Sequence, residues 1–141
     1  MNRPPSVPAT RSTRLKYSVP ASGALPFTQQ VLLYQDGHPI AQARWHATDS
    51  SDGIIQILDF VVEPAHQRQG HGSTLLRAVY DQAGLLYTSL GQRPRRAWIT
   101  VEQKRHVTAR AFLSRHGFHH VSTIKNLYVD QDAMIYQRAF D

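Results

Sequence analysis

From Val31 onward the chain switches between a two-residue and a 3.6-residue hydrophobic period, and the switches lay out its elements. Two short apolar-bearing runs, Val31–Gln35 and Ile40–His46, flank Asp36-Gly37, a pairing that predicts a β-hairpin. Pro39 puts the start of the second strand at an edge or in the turn, because proline donates nothing to a ladder. After a polar loop at Asp49–Gly53, the nearly all-apolar run Ile54–Val62 predicts a central strand covered on both faces, ended by Glu63-Pro64. A helix is expected from Gly72 or Ser73, with Leu75, Leu76, Val79, Tyr80, Ala83 and Leu86 on one stripe. Gly91–Arg96 reads as loop, Ala97–Glu102 as a short strand and Thr108–His116 as a second helix. Gly117 supplies the left-handed residue that ends that helix. Phe118–Thr123 and Met134–Phe140 read as two last strands, joined through Leu127–Asp132. Ahead of all this, residues 14–19 make a short first strand, and 20–28, with two prolines and a glycine, read as loop. The predicted class is α/β, a mixed, mostly antiparallel sheet covered by helices.

At 141 residues the chain has room for one ordinary domain. Residues 1–14, rich in Pro, Ser, Thr and Arg, read as a disordered basic arm, which leaves 15–141 as the domain. No stretch approaches the roughly 18 apolar residues of a membrane span. There is no apolar leader and no cysteine, a pattern that suits the cytoplasm and excludes disulfides and thiolate chemistry. The formal charge of +6 invites a nucleic-acid reading, but Arg3, Arg11, Arg14 and Lys16 supply four of the six. The remainder carries twelve basic against ten acidic residues, too even for a face devoted to phosphate backbones, so nucleic acid is not the expected partner.

The segment with chemistry in it is Gln67-Arg68-Gln69-Gly70-His71-Gly72-Ser73-Thr74, between a buried strand and an amphipathic helix. Glycines at 70 and 72 let a ligand approach the backbone. The first N–H groups of the helix lack internal partners and, with the helix dipole, form an anion site suited to pyrophosphate. The Gly-Lys-Ser/Thr of a P-loop is absent, and Leu75 stands where a dinucleotide fingerprint needs its third glycine. A bare Gly-x-Gly is also met in plain strand-to-helix turns.

Two motifs together resemble the GNAT superfamily of acyl-CoA-dependent N-acetyltransferases. The pyrophosphate motif Gln/Arg-x-x-Gly-x-Gly/Ala is matched by Gln67, Gly70 and Gly72. The segment Asn-x-x-Ala-x-x-Phe/Leu-Tyr-x-x-x-Gly-Phe is matched by Ala109, Phe112, Gly117 and Phe118, with His106 in place of Asn and Leu113 in place of Tyr. The resemblance covers roughly residues 28–141. It implies a sheet splayed at a bulge between its fourth and fifth strands, with the family's first two helices reduced or missing. Acetyl-CoA would be the co-substrate: pantetheine paired with backbone near Val61 and Val62, pyrophosphate on the N–H groups of Arg68 to Ser73 with Thr74 beside them, Phe112 and Leu113 flanking the thioester end from the second helix, and His106 among the residues that bind the coenzyme.

Acyl transfer to an amine needs a deprotonated amine, a donor for the developing oxyanion and a proton for the leaving thiolate. The resemblance assigns the oxyanion donor to the N–H of Val62. The family's usual acid, the Tyr of the second segment, is Leu113 here; His106, Tyr128 or water are the substitutes available. Gln56 stands where some relatives carry Glu or His, which leaves Asp59 and Glu102 as candidates to bind or deprotonate the amine, with Glu63 at the strand end. Simple strand alternation puts Gln56, Leu58 and Phe60 on one face and Asp59 on the other, an arrangement that a bulge between them would change; on either face a lone carboxylate must be partnered or wet. His119-His120 and His66 with His71 lack a carboxylate cluster at ligand spacing, so no metal is expected. Only about a dozen residues, Pro20 to Val31, stand where the family has two helices. The amine site is therefore either open to a protruding substrate, a protein or a large metabolite, or completed by a second copy in a homodimer. The competing reading is a CoA-binding module with weak or no catalysis.

Overall fold

The computed structural model describes residues 13–17, 27–47, 52–103 and 107–140. Seven strands among them form one sheet: β1 (Thr13–Tyr17), β2 (Phe27–Gln35), β3 (His38–Ala47), β4 (Ile54–Val62), β5 (Arg96–Glu102), β6 (His119–Tyr128) and β7 (Gln131–Ala139), in spatial order β1-β2-β3-β4-β5-β7-β6. Every pair is antiparallel except β4–β5. The crossover between these two carries helix α1 (His71–Ser89), and helix α2 (Val107–Arg115) follows β5. β1 begins at Thr13, so the last two residues assigned to the N-terminal arm stand in the sheet.

The hairpin forms where Asp36-Gly37 predicts it, with both residues at positive φ (52° and 82°), the geometry of a turn that matches strand twist. Its first strand is longer than expected. Phe27 to Gln30 extend β2 because Gln29 sits on the core face, 2% exposed, and a buried amide hides the alternation. The last hairpin departs further from expectation: β6 and β7 run to Tyr128 and from Gln131, with the turn at Val129-Asp130. Nearly every β6 residue is exposed, so backbone pairing alone defines that strand and no apolar alternation announces it.

α1 buries Leu75, Leu76, Val79, Ala83 and Leu86, as the stripe predicts, against Val31, Leu33, Ala43, Trp45, Ile55 and Ile57. Each of these buried leucine, isoleucine and valine side chains contributes roughly 1.5–3 kcal/mol on burial. Tyr87, fully buried, also donates its hydroxyl to the Ile54 carbonyl (3.3 Å), pinning the helix end to the start of β4. α2 closes with the Phe118 N–H on the Leu113 carbonyl (2.9 Å), around Gly117 at φ 82°. Both helices lie on the face that holds Ile55 and Ile57; among the described residues no helix covers the other face.

Candidate functional site

β4 and β5 pair only from Ile54↔Arg96 to Ile57↔Ile99, and beyond that level the sheet opens. The opening coincides with a β-bulge: Arg44 faces Asp59 and Trp45 faces Ile57, which leaves Leu58 as the extra residue of β4. The bulge corrects the simple alternation. Phe60 and Val62 join Ile55 and Ile57 on the helix face, where they pack on the core, while Asp59 and Val61 share the helix-free face with Gln56. Glu63 N–H bonds the Ile40 carbonyl (2.9 Å), so Val61 also turns its backbone to β3, and alternation aims the N–H groups of Phe60 and Val62 into the gap. Two unclaimed donors one strand period apart can pair with an amide-rich ligand. The Phe60 donor is legible only once the bulge is known.

At the end of β4 the chain turns through a short 3₁₀ segment, Pro64–His66, into the glycine loop. Gln67 donates from Nε2 to the Val62 carbonyl (3.1 Å), tying the loop to the lip of the gap. Arg68 and Gly70 both take left-handed backbone, φ 64° and 81°. For Arg68 that costs roughly 1–2 kcal/mol, a strain of the kind held at ligand sites. Gly70 has open space beside its Cα, with no atom within 4 Å of where a Cβ would stand. Thr74 makes the first helical bond, N–H to the Gly70 carbonyl (3.2 Å), and its hydroxyl donates to the same oxygen (3.2 Å). The N–H groups of His71, Gly72 and Ser73 thus lie ahead of the ladder, next to the open side of Gly70. His71 is buried and meets Gln69 Oε1 at 3.3 Å; its pKa is lowered by burial first and by His66 second, so the ring stays neutral and adds no charge to the cradle. These residues fit a pyrophosphate: donors, room and a helix N-terminus converge.

The wall from α2 is one ring. Phe112 stacks on Phe60 (centroids 5.5 Å apart) and lies so close to Gly72 that a Cβ there would come within 2.9 Å of it. Gly72 is thus required by packing of helix on helix, as well as by any ligand. Leu113, 3% exposed, belongs to the core, and His106 lies outside the described residues. Ser73 Oγ meets His116 Nε2 at 3.1 Å, a link between the two helices that the motifs do not announce.

Two carboxylates border the gap on the helix-free face. Asp59 pairs with Arg44 (2.9 Å), both about half exposed, so the carboxylate the sequence left unpartnered has a cation from the neighbouring strand. Glu102 stands at the end of β5 on the same side as Trp98 and Thr100, opposite buried Ile99 and Val101. It accepts from Gln131 Nε2 (2.9 Å). Tyr128 lies near it, and its pKa is raised by burial first and by Glu102 second, so the phenol keeps its proton at neutral pH. Among the described residues no three His, Cys, Asp or Glu side chains gather as a metal site.

A mixed sheet that parts between two parallel strands, with a glycine turn at the head of the crossover helix, is the architecture of the acyl-CoA N-acyltransferases. The profile of the acetyltransferase (GNAT) domain matches residues 28–120, and the chain belongs to that family. No curated protein sequence matches it. Among solved structures, the fold is similar to that of an IAA acetyltransferase from Bacillus cereus (TM-score 0.70, 14% identity, 92% of this chain and 100% of that one). It is similar also to a GNAT family acetyltransferase from Elizabethkingia anophelis with acetyl-CoA bound (TM-score 0.70, 14% identity, 91% and 98%). The ribosomal-protein-S18-alanine N-acetyltransferase of Escherichia coli aligns at TM-score 0.63 and 24% identity over 78% of this chain and 67% of that one. At these identities the likeness speaks for the fold alone.

Proposed function

We propose that the protein transfers an acetyl group from acetyl-CoA to a primary amine by direct attack. The observation that carries this reading is the end of β4–β5 pairing at Ile57↔Ile99, which leaves Phe60 and Val62 facing a gap that runs into the glycine cradle. Arg68 to Ser73 would hold the pyrophosphate through backbone N–H groups, with Gln67 and Thr74 bracing the loop, and Phe60, Val61, Val62 and Phe112 would line the pantetheine. Bound acetyl-CoA supplies the acyl group: the amine nitrogen bonds to the thioester carbon, the C–S bond breaks, and the amine's proton goes to base while the thiolate takes one up. The N–H of Val62, with that of Phe60, donates to the thioester oxygen, a contribution that rises as negative charge builds there. The amine enters from the helix-free face, where Glu102 binds its ammonium and accepts its proton; Asp59 is held in an ion pair with Arg44 and sets the field. Tyr128, protonated beside Glu102, is the nearest acid for the thiolate.

The helix-free face favours an amine on a protruding substrate, and a protein N-terminus is the first class to test, as the E. coli protein of similar fold acts on a ribosomal-protein alanine. Thiol release from acetyl-CoA with a panel of peptides and small amines tests this. Turnover with peptide amines is expected, and transfer confined to small enclosed amines would refute the open-site reading. The second reading, a CoA-binding module with weak catalysis, is favoured by Leu113, which is sealed in the core and offers no proton. Coenzyme binding without thiol release across the panel would decide for it.

A further inference from the structure

The first turn of α1 carries two hydroxyls, and the fold uses them differently. Thr74 commits its proton to the Gly70 carbonyl (3.2 Å). Ser73, exposed, meets instead a side chain 43 residues away, Nε2 of His116 at 3.1 Å. Each Cα–Cβ bond of a helix tilts toward its N-terminus, so the Ser73 hydroxyl leans toward the mouth of the cradle. A serine–histidine bond has an ordinary reading as a staple between helices. Here, however, Phe112 already packs the two helices together, against Gly72 and Phe60, with its ring 4.3 Å from that of His116. The direction in which the bond runs matters more. The His116 pKa is lowered by burial first, then by Arg115 and Arg138, and Arg96 of β5 and His119 of β6 line the same cavity as the ring. The ring is therefore neutral near pH 7, with one donor and one acceptor nitrogen. With its proton on Nδ1, Nε2 takes the Ser73 proton, and the hydroxyl offers only lone pairs to an incoming anion. With its proton on Nε2, the ring donates to Ser73, and the hydroxyl proton can turn into the cradle. A hydroxyl that accepts on one side also donates more strongly on the other.

We propose that His116 is a positioning residue of the cradle: in the coenzyme complex its Nε2–H donates to Ser73 Oγ and so turns the serine proton toward a pyrophosphate oxygen. The inference rests on the coenzyme reading above and goes beyond it, since the cradle as described there needs only backbone N–H groups. The serine's bond to the anion is charge-assisted, whereas the histidine touches no ligand and acts through Ser73 alone. The anion selects the Nε2–H form whether the ring stays neutral or takes up a second proton on Nδ1.

The test is calorimetric titration of the full chain with CoA, in the wild type, Ser73→Ala, His116→Leu, the Ser73→Ala/His116→Leu double variant and His116→Gln, each checked for folding by circular dichroism. Ser73→Ala should weaken CoA about tenfold, the effect of one hydrogen bond to a charged group. His116→Leu should weaken it about threefold or more when Ser73 is present and leave it unchanged in the Ser73→Ala background, because the route through the serine is gone. His116→Gln, whose amide can donate, should recover most of the loss. Equal losses from His116→Leu with and without the serine, no loss at all, or a glutamine no better than leucine would each overturn the proposal. Should leucine at 116 prevent folding, the wild type decides by itself. Nitrogen NMR of the histidine-labelled CoA complex should find a proton on His116 Nε2, and a bare Nε2 there overturns the proposal. Failure of the coenzyme reading looks different. In that case the wild type does not bind CoA, and this inference falls with it, whereas CoA binding indifferent to both Ser73 and His116 ends this inference alone.

Discussion

Gly72 and Phe112 touch across the two helices, and a Cβ at Gly72 would stand 2.9 Å from Cε2 of that ring. The ring cannot simply swing away, because it is stacked on Phe60 and lies 4.3 Å from the His116 ring. Gly72→Ala should therefore lower stability: overpacking costs about 1–3 kcal/mol, whereas alanine's helix propensity returns at most about 1 kcal/mol. Denaturant unfolding checks the sign. Phe112→Leu should make the same alanine tolerable, so a double variant in which the two losses add would sink the contact as the cause.

Gly70 and Gly37 have nearly the same backbone, φ 81° and 82°, each with open space beside it. Alanine at either position should cost roughly 1–2 kcal/mol through left-handed strain. Only Gly70→Ala should also weaken CoA, because only there does the added carbon project into the cradle. Equal CoA affinity in both variants, read by calorimetry, would remove Gly70 from the site.

How far the sequence carried this site depended on whether side chains or backbone do the work. β4 and α1 were legible because Ile55, Ile57, Leu75 and Val79 each bury an apolar side chain, and burial leaves a periodic trace. The glycine turn was legible because Gly70 must adopt a conformation few residues tolerate. The bulge at Leu58 leaves no such trace, since a leucine there looks like any strand residue, yet it decides the face of Asp59 and the aim of Phe60. Arg44 as the partner of Asp59 was hidden for the same reason: cross-strand register is a property of pairing, and the chain prints only neighbours along itself. The full length of β6 was hidden because its side chains meet solvent.

The two carboxylates by the gap should separate in kinetics. Glu102→Gln keeps an acceptor for Gln131 and loses the base, so kcat/KM should fall about 10²- to 10⁴-fold. Asp59→Asn breaks an exposed ion pair worth about 0.2–1 kcal/mol, and its effect on rate should be smaller than that of Glu102→Gln. Steady-state thiol release with a peptide amine makes the comparison. A larger loss at Asp59 would reverse the proposed roles.

Acid should loosen this protein through its neutral histidines. His71 and His116 both have pKa values lowered from 6.5, in each case by burial first. The unfolded chain then binds protons more readily than the native one, so stability rises with pH wherever the unfolded state is taking them up. The contribution is complete above pH 6.5 and is lost as pH falls through the lower native values. His71→Gln removes one of the two groups, and its neutral side chain cannot protonate. Urea midpoints should decline from pH 7.5 to 5 in the wild type, and decline less steeply in His71→Gln. Parallel curves for the two proteins would mean that the ring titrates alike folded and unfolded, and that its burial beside the cradle is not what keeps it neutral.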